Sequence, residues 1–258
     1  MDPRLDEFLK LAERLADAAR PIAMKYFRSG MAVEHKADKS PVTAADREAE
    51  SAMRALIEQA FPDHGVIGEE HGAARAGAEY VWVLDPIDGT QSFVTGKPLF
   101  GSLVSLTRNG APILGIIEAP AMNERWTGAE GRPTVFNNNP VKVRPCPGTA
   151  EAWLHATSPQ MFEGEDFQAF ERLRKTCRHA AYGADCYAYG LLAGGFVDLV
   201  CEASLKPYDF CALVPVVKGA GGLITDWEGK ELTVRSNGRV LAAGDPRTHA
   251  QALEALTG

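Results

Sequence analysis

YVWVLDPIDGTQSF, residues 80–93, opens as an apolar and aromatic run and ends on two carboxylates, Asp85 and Asp88, with Gly89-Thr90 behind them. The run reads as a buried strand. Asp and Glu are seldom buried unless paired or bound to a cation. A buried strand that stops on two acids and then turns is therefore a solvated turn or a cation site. Gly89 suits a sharp turn with close backbone approach. A helix opening at Gly89-Thr90 would present its first N–H groups to an anion. The Ile87 carbonyl lies in the chain between the two acids and offers a further oxygen ligand.

Outward from this stretch the pattern repeats. VIGEE ends on Glu69 and Glu70, VDLVCE ends on Glu202, and Asp209 begins the helix that follows. Acids at strand ends sit at the rim of a sheet, a usual place for a site. Hard carboxylate oxygens are what Mg²⁺ prefers. The six histidines are scattered and read as surface or structural, and no His or Cys cluster suggests zinc. Metal ligands beside a helix N-terminus point to phosphoryl transfer.

The organisation is mixed. Leu5, Phe8, Leu9, Ala12, Leu15, Ala16 and Ala19 keep helical spacing. A second helix is expected over 43–61, with Thr43 as N-cap and Asp46 either in a loose capping box or simply a first-turn acid. GSLVSLTRNGAPILGIIEAP reads as a hairpin pair. Near residue 140 an Asn- and Pro-rich stretch divides an N-terminal α+β lobe (1–140) carrying the metal site from a C-terminal α/β lobe (141–258) completing it. In that second lobe strands and helices alternate, and YDFCALVPVVKGAGG reads as one helix with a glycine-rich end.

Composition narrows the function. The 258 residues carry 27 basic and 34 acidic side chains, net charge -7, with no basic run, which argues against a nucleic-acid partner. Five cysteines without a CxxC suggest a reducing compartment. No secretory or membrane-spanning stretch is apparent, so a cytoplasmic protein with no membrane partner is expected.

GEE at 68–70, WVLDPIDGTQSF at 82–93, KPYDFCALVPVVKGAGGLITDWEG at 206–229 and SPVTAAD at 40–46 resemble, in order, the motifs of the inositol monophosphatase family of Mg²⁺-dependent, lithium-sensitive phosphomonoesterases. The resemblance implies an αβαβα layered sandwich of the sugar-phosphatase type, a homodimer, and two or three Mg²⁺ ions. It implies that Glu69, Asp85 and the Ile87 carbonyl hold the first metal, and that Asp85, Asp88 and Asp209 hold the second. Gly89 and Thr90 would meet the phosphate. Thr90, partnered by Asp46, would orient a metal-activated water, and Glu70 would support the metal shell or a third ion. Lys36, in the loop at 30–42, would close over the phosphate.

The alcohol half of the substrate is read from GADCYAYG and its spacing to VDLVCEASLKPYD. This pattern resembles the histidinol-phosphatase branch. Asp185 and Glu202 would offer charge to the ammonium and imidazole of L-histidinol phosphate, and Asp198 either joins them or is a strand-end acid with a backbone partner. Gln91 departs from the Arg or Lys common after DGT in that branch. The alternatives are an inositol-1-monophosphatase or a broad-specificity sugar or polyol phosphatase, a nucleotide 3'-phosphatase, and a non-catalytic regulatory or binding protein.

Overall fold

The structure, a computed structural model, describes residues 2–30 and 44–258, with backbone placement alone for 34–35 and 41–42. Lys36 and Thr43, with their expected phosphate-closing and capping roles, lie outside the described residues. The helices are α1 Leu5–Tyr26, α2 Ala44–Ala60, α3 Thr90–Val94, α4 Gly164–Thr176, α5 Tyr187–Ala193, α6 Pro207–Phe210, α7 Leu213–Gly219 and α8 Pro246–Thr257. The strands of the first half are β1 Glu34–His35, β2 Pro41–Val42, β3 Gly65–Gly68, β4 Gly72–Ala74, β5 Tyr80–Asp88, β6 Gly101–Arg108, β7 Ala111–Ala119, β8 Glu124–Ala129, β9 Val135–Phe136 and β10 Asn139–Pro140. Those of the second half are β11 Trp153–Ala156, β12 His179–Tyr182, β13 Leu199–Glu202, β14 Leu223–Thr225 and β15 Val240–Ala243.

Eight strands form one sheet in the order β10-β9-β8-β7-β6-β5-β3-β4, and five form another in the order β12-β11-β13-β15-β14. The run that decides the fold is apolar without alternation because β5 is covered on both faces. Trp82 and Leu84 pack into a core with α1 and α2, while Val83 faces a core built on α5 and α7. Burial of each such side chain contributes about 1.5–3 kcal/mol. The α5 and α7 layer is shared, since its core also takes Val200, Ile224 and Ala242 from the second sheet. The outer face of that sheet, through Leu154, Leu199 and Leu241, is covered by Phe170 and Leu173 of α4 and Ala252 and Leu256 of α8. The layers are therefore α, β, α, β, α, as expected.

Two elements differ from the sequence reading. The helix expected from YDFC onward is two, α6 and α7, broken at Cys211-Ala212. Pro215 has no N–H to give the Cys211 carbonyl, and its ring crowds that oxygen. The interior strand β15 is not evident in the sequence: four apolar residues without alternation look like loop, yet they pair antiparallel with both β13 and β14.

Candidate active site

Asp85 and Asp88 lie on β5, where its pairing with β6 becomes irregular between the two. Asp85 accepts from the Ile87 N–H at 3.1 Å, which folds the strand end back on itself. Gly89 follows with φ 79° and caps α3, as the turn reading anticipates. The Thr90 hydroxyl donates to the Ile87 carbonyl at 3.2 Å.

Asp209 reaches the same place from the third layer. It stands in α6 and accepts from the Lys206 N–H at 2.6 Å, which closes a capping box. Asp88 is held by the Cys186 N–H at 2.8 Å. One oxygen from each of Asp85, Asp88 and Asp209 lies within 4.8 Å of the other two. Burial first, then the charges of Glu69, Asp88, Asp209 and Asp46, hold Asp85 well above the usual carboxylate range. Asp88 is raised by burial and by Asp185 and Asp209. Asp209 is raised chiefly by burial. Mutually repelling oxygens, buried at Asp85 and half-buried at Asp88 and Asp209, with no nitrogen or sulfur among them, fit a hard divalent cation.

Glu69 follows β3, its N–H on the Leu84 carbonyl at 3.3 Å, and its charge acts on both Asp85 and Asp209. Asp46 is buried in the first turn of α2 and also acts on Asp85. Glu69 and Asp46 thus surround the three-acid cluster, which among the described residues does not itself include them.

Beside these acids a cavity of about 160 Å³ is lined by Asp88, Thr157, Asp185, Tyr189, Glu202 and Asp209, with Met161 and Leu205 among its apolar walls. Asp185 has φ 48° and accepts from the Ser92 hydroxyl at 2.8 Å. A Cβ on Gly89 would stand 2.9 Å from the Asp185 carboxyl, so glycine is needed there for space as well as for backbone angle. Burial raises Asp185, against the lowering effect of Ser92 and Lys97. Glu202 accepts from the Thr157 N–H at 2.8 Å and the Tyr189 hydroxyl at 2.9 Å, and burial pushes it up to about 7.

Asp198 does not join them. It sits just before β13, at the opposite end from Glu202, where Arg144 grips it through two 2.6 Å bonds and the Trp153 N–H adds a third. It braces the segment entering the second sheet, which is the strand-end role with a backbone partner and not the place near the substrate. Sequence reasoning missed Cys186, Ser92, Thr157 and Tyr189 as supports. Only Tyr189 left a trace, four residues after Asp185 in GADCYAYG. A larger cavity of about 650 Å³ lies between the β6–β7 turn and α7. Its cations Arg108, Arg132 and Lys218 are paired with Asp2, Asp6 and Glu231, and among the described residues the three-acid cluster lies elsewhere.

An αβαβα sandwich with a carboxylate cluster gathered at the end of an interior strand defines a metal-dependent phosphomonoesterase. The chain belongs to the inositol monophosphatase family, whose sequence profile matches residues 4–257. It is 50% identical over 264 residues to the chloroplastic bifunctional phosphatase IMPL2 of Arabidopsis thaliana, covering 99% of this chain and 76% of that protein. It is 34% identical over 266 residues to a histidinol-phosphatase of Streptomyces coelicolor, covering 98% and 97%. An inositol monophosphatase from Zymomonas mobilis superimposes with a TM-score of 0.92 at 46% identity over the whole of both chains. No helix among the described residues is long and apolar enough to cross a membrane.

Proposed function

We propose that the protein is a Mg²⁺-dependent phosphomonoesterase that accepts several small phosphate esters, neutral polyol phosphates and L-histidinol phosphate among them. The observation that carries the reading is the cavity in which Asp185 and Glu202 stand beside Asp88 and Asp209. Relatives named for inositol phosphate and for histidinol phosphate both align along nearly the whole chain, which supports breadth rather than a single substrate.

Asp85, Asp88 and Asp209, with Glu69 and the Ile87 carbonyl, would hold two or three Mg²⁺ ions. Bound there, the ions would offset phosphate charge and make water more acidic. The chain's own residues do the rest. Gly89 and Thr90 offer first-turn N–H groups to the phosphate. Asp46 and the Thr90 hydroxyl orient the attacking water and take up its proton. Glu70 supports the turn beside Glu69. Asp185 and Glu202 bind the alcohol half, through hydroxyls in a polyol or an ammonium in histidinol.

The acidic lining favours a second, narrower reading, a preference for the cationic ester, because a carboxylate–ammonium pair is a stronger hydrogen bond than carboxylate–hydroxyl. Phosphate release from histidinol phosphate, inositol 1-phosphate and fructose 1,6-bisphosphate, with and without a chelator, tests both readings. Full turnover by metal-stripped protein would defeat the metal mechanism. A single hydrolysed substrate would replace breadth with specificity. The homodimer implied by the family is read directly by sedimentation.

A further inference from the structure

α2 carries a second buried acid, Glu50, one turn after Asp46 and fully shielded from solvent. It faces the turn that follows β3. Glu50 Oε2 accepts from the Glu70 N–H at 2.7 Å and Oε1 from the His71 N–H at 3.2 Å. Arg54, one turn further on, donates to Oε1 at 2.7 Å and also binds the Gly72 carbonyl. Gly68 makes the approach possible, since a Cβ there would fall 2.1 Å from Glu50 Oε1. Every backbone group that Glu50 accepts from lies within two residues of Glu69, and Glu50 itself is not one of the three clustered acids.

We infer that Glu50 is a positioning residue: it sets the Glu69 turn in its cation-receiving geometry before any cation arrives. The inference rests on the reading of Glu69 as a metal ligand. A carboxylate can accept from two amides and a guanidinium at once. Glutamine of the same shape cannot, because its NH₂ would face a donor. Groups that orient a ligand from behind typically change metal affinity by about 10–100-fold when altered.

The test uses metal-stripped full-length protein, Mg²⁺ binding by calorimetry, and amide hydrogen exchange at Glu70 and His71. Glu50→Gln should weaken Mg²⁺ binding about tenfold or more and speed exchange at both amides. Met53→Ala, on the same buried helix face, should lower the melting temperature while leaving Mg²⁺ affinity within about twofold, since it removes packing and no hydrogen bond. Parental affinity in Glu50→Gln, or an equal loss in Met53→Ala, overturns the inference. If Glu50→Gln does not fold, the parent decides: fast exchange at Glu70 and His71 without metal means Glu50 does not hold the turn. Glu69→Gln separates the underlying reading, because unchanged Mg²⁺ binding there removes Glu69 from the metal shell whatever Glu50 does.

Discussion

Asp88 is a proposed cation ligand and, without a cation, a source of repulsion. Its carboxylate lies among Asp85, Asp185 and Asp209, and the Cys186 thiol and N–H relieve it in part. Asp88→Asn keeps the shape and deletes the charge. We expect kcat to fall roughly 10²-fold or more, while the metal-free variant melts no lower than the parent because one repelling charge is gone. Near-parental kcat at saturating Mg²⁺ would make this acid peripheral. Asp185→Asn separates recognition from chemistry. It should lower kcat/KM for histidinol phosphate by roughly ten- to a hundredfold, the worth of a charge-assisted bond, and cost a neutral ester much less. Equal losses on both substrates would make Asp185 a prop for Ser92 and Gly89.

At the scale of elements, the site depends on how closely α7 lies on the large sheet. Gly115 of β7 and Gly128 of β8 are cross-strand partners. A Cβ on Gly115 would fall 2.0 Å from the Ala212 carbonyl oxygen, and one on Gly128 2.4 Å from that of Pro215. The paired glycines form a trough into which the start of α7 settles, and α6 with Asp209 is carried along at its N-terminal side. Gly115→Ala should therefore cost roughly 1–3 kcal/mol by overpacking, measured by urea unfolding, and weaken Mg²⁺ binding by shifting Asp209. A variant as stable as the parent would show that the helix can lift without penalty.

Across the whole molecule, three histidines in different places, His64 and His249 buried and His155 half-buried, are pushed toward the neutral form. Burial lowers the pKa of His64, His155 and His249. His64 sits between the rings of Phe61 and Tyr80, and its Nδ1 accepts from Trp82 Nε1 at 3.2 Å. Trp can only donate, so the His64 proton is on Nε2. A folded pKa below the unfolded value, 6.5 for each, means that unfolding takes up protons in acid. The contribution to stability is complete above about pH 6.5 and falls as the pH drops toward the folded values. His64→Asn keeps an acceptor for Trp82 and should flatten the dependence of unfolding free energy on pH below about 6.5 by up to one proton. An unchanged slope would mean that His64 titrates normally in the fold.

The sequence alone determined what is local or chemical. The both-face burial of β5, the β6–β7 hairpin, the left-handed turn at Gly89 and the acids at strand ends were legible, because each depends on residue type within a few positions. Tertiary structure decided what depends on residues distant in the chain. It placed β15 between β13 and β14, and assigned Asp198 to Arg144 and Glu202 to Tyr189. It also showed that Glu50 reaches a turn 20 residues away. A carboxylate in a sequence has no stated partner. Whether it binds a cation, braces a turn or neutralises an arginine follows from which oxygens and donors the packed layers bring within about 3 Å of it.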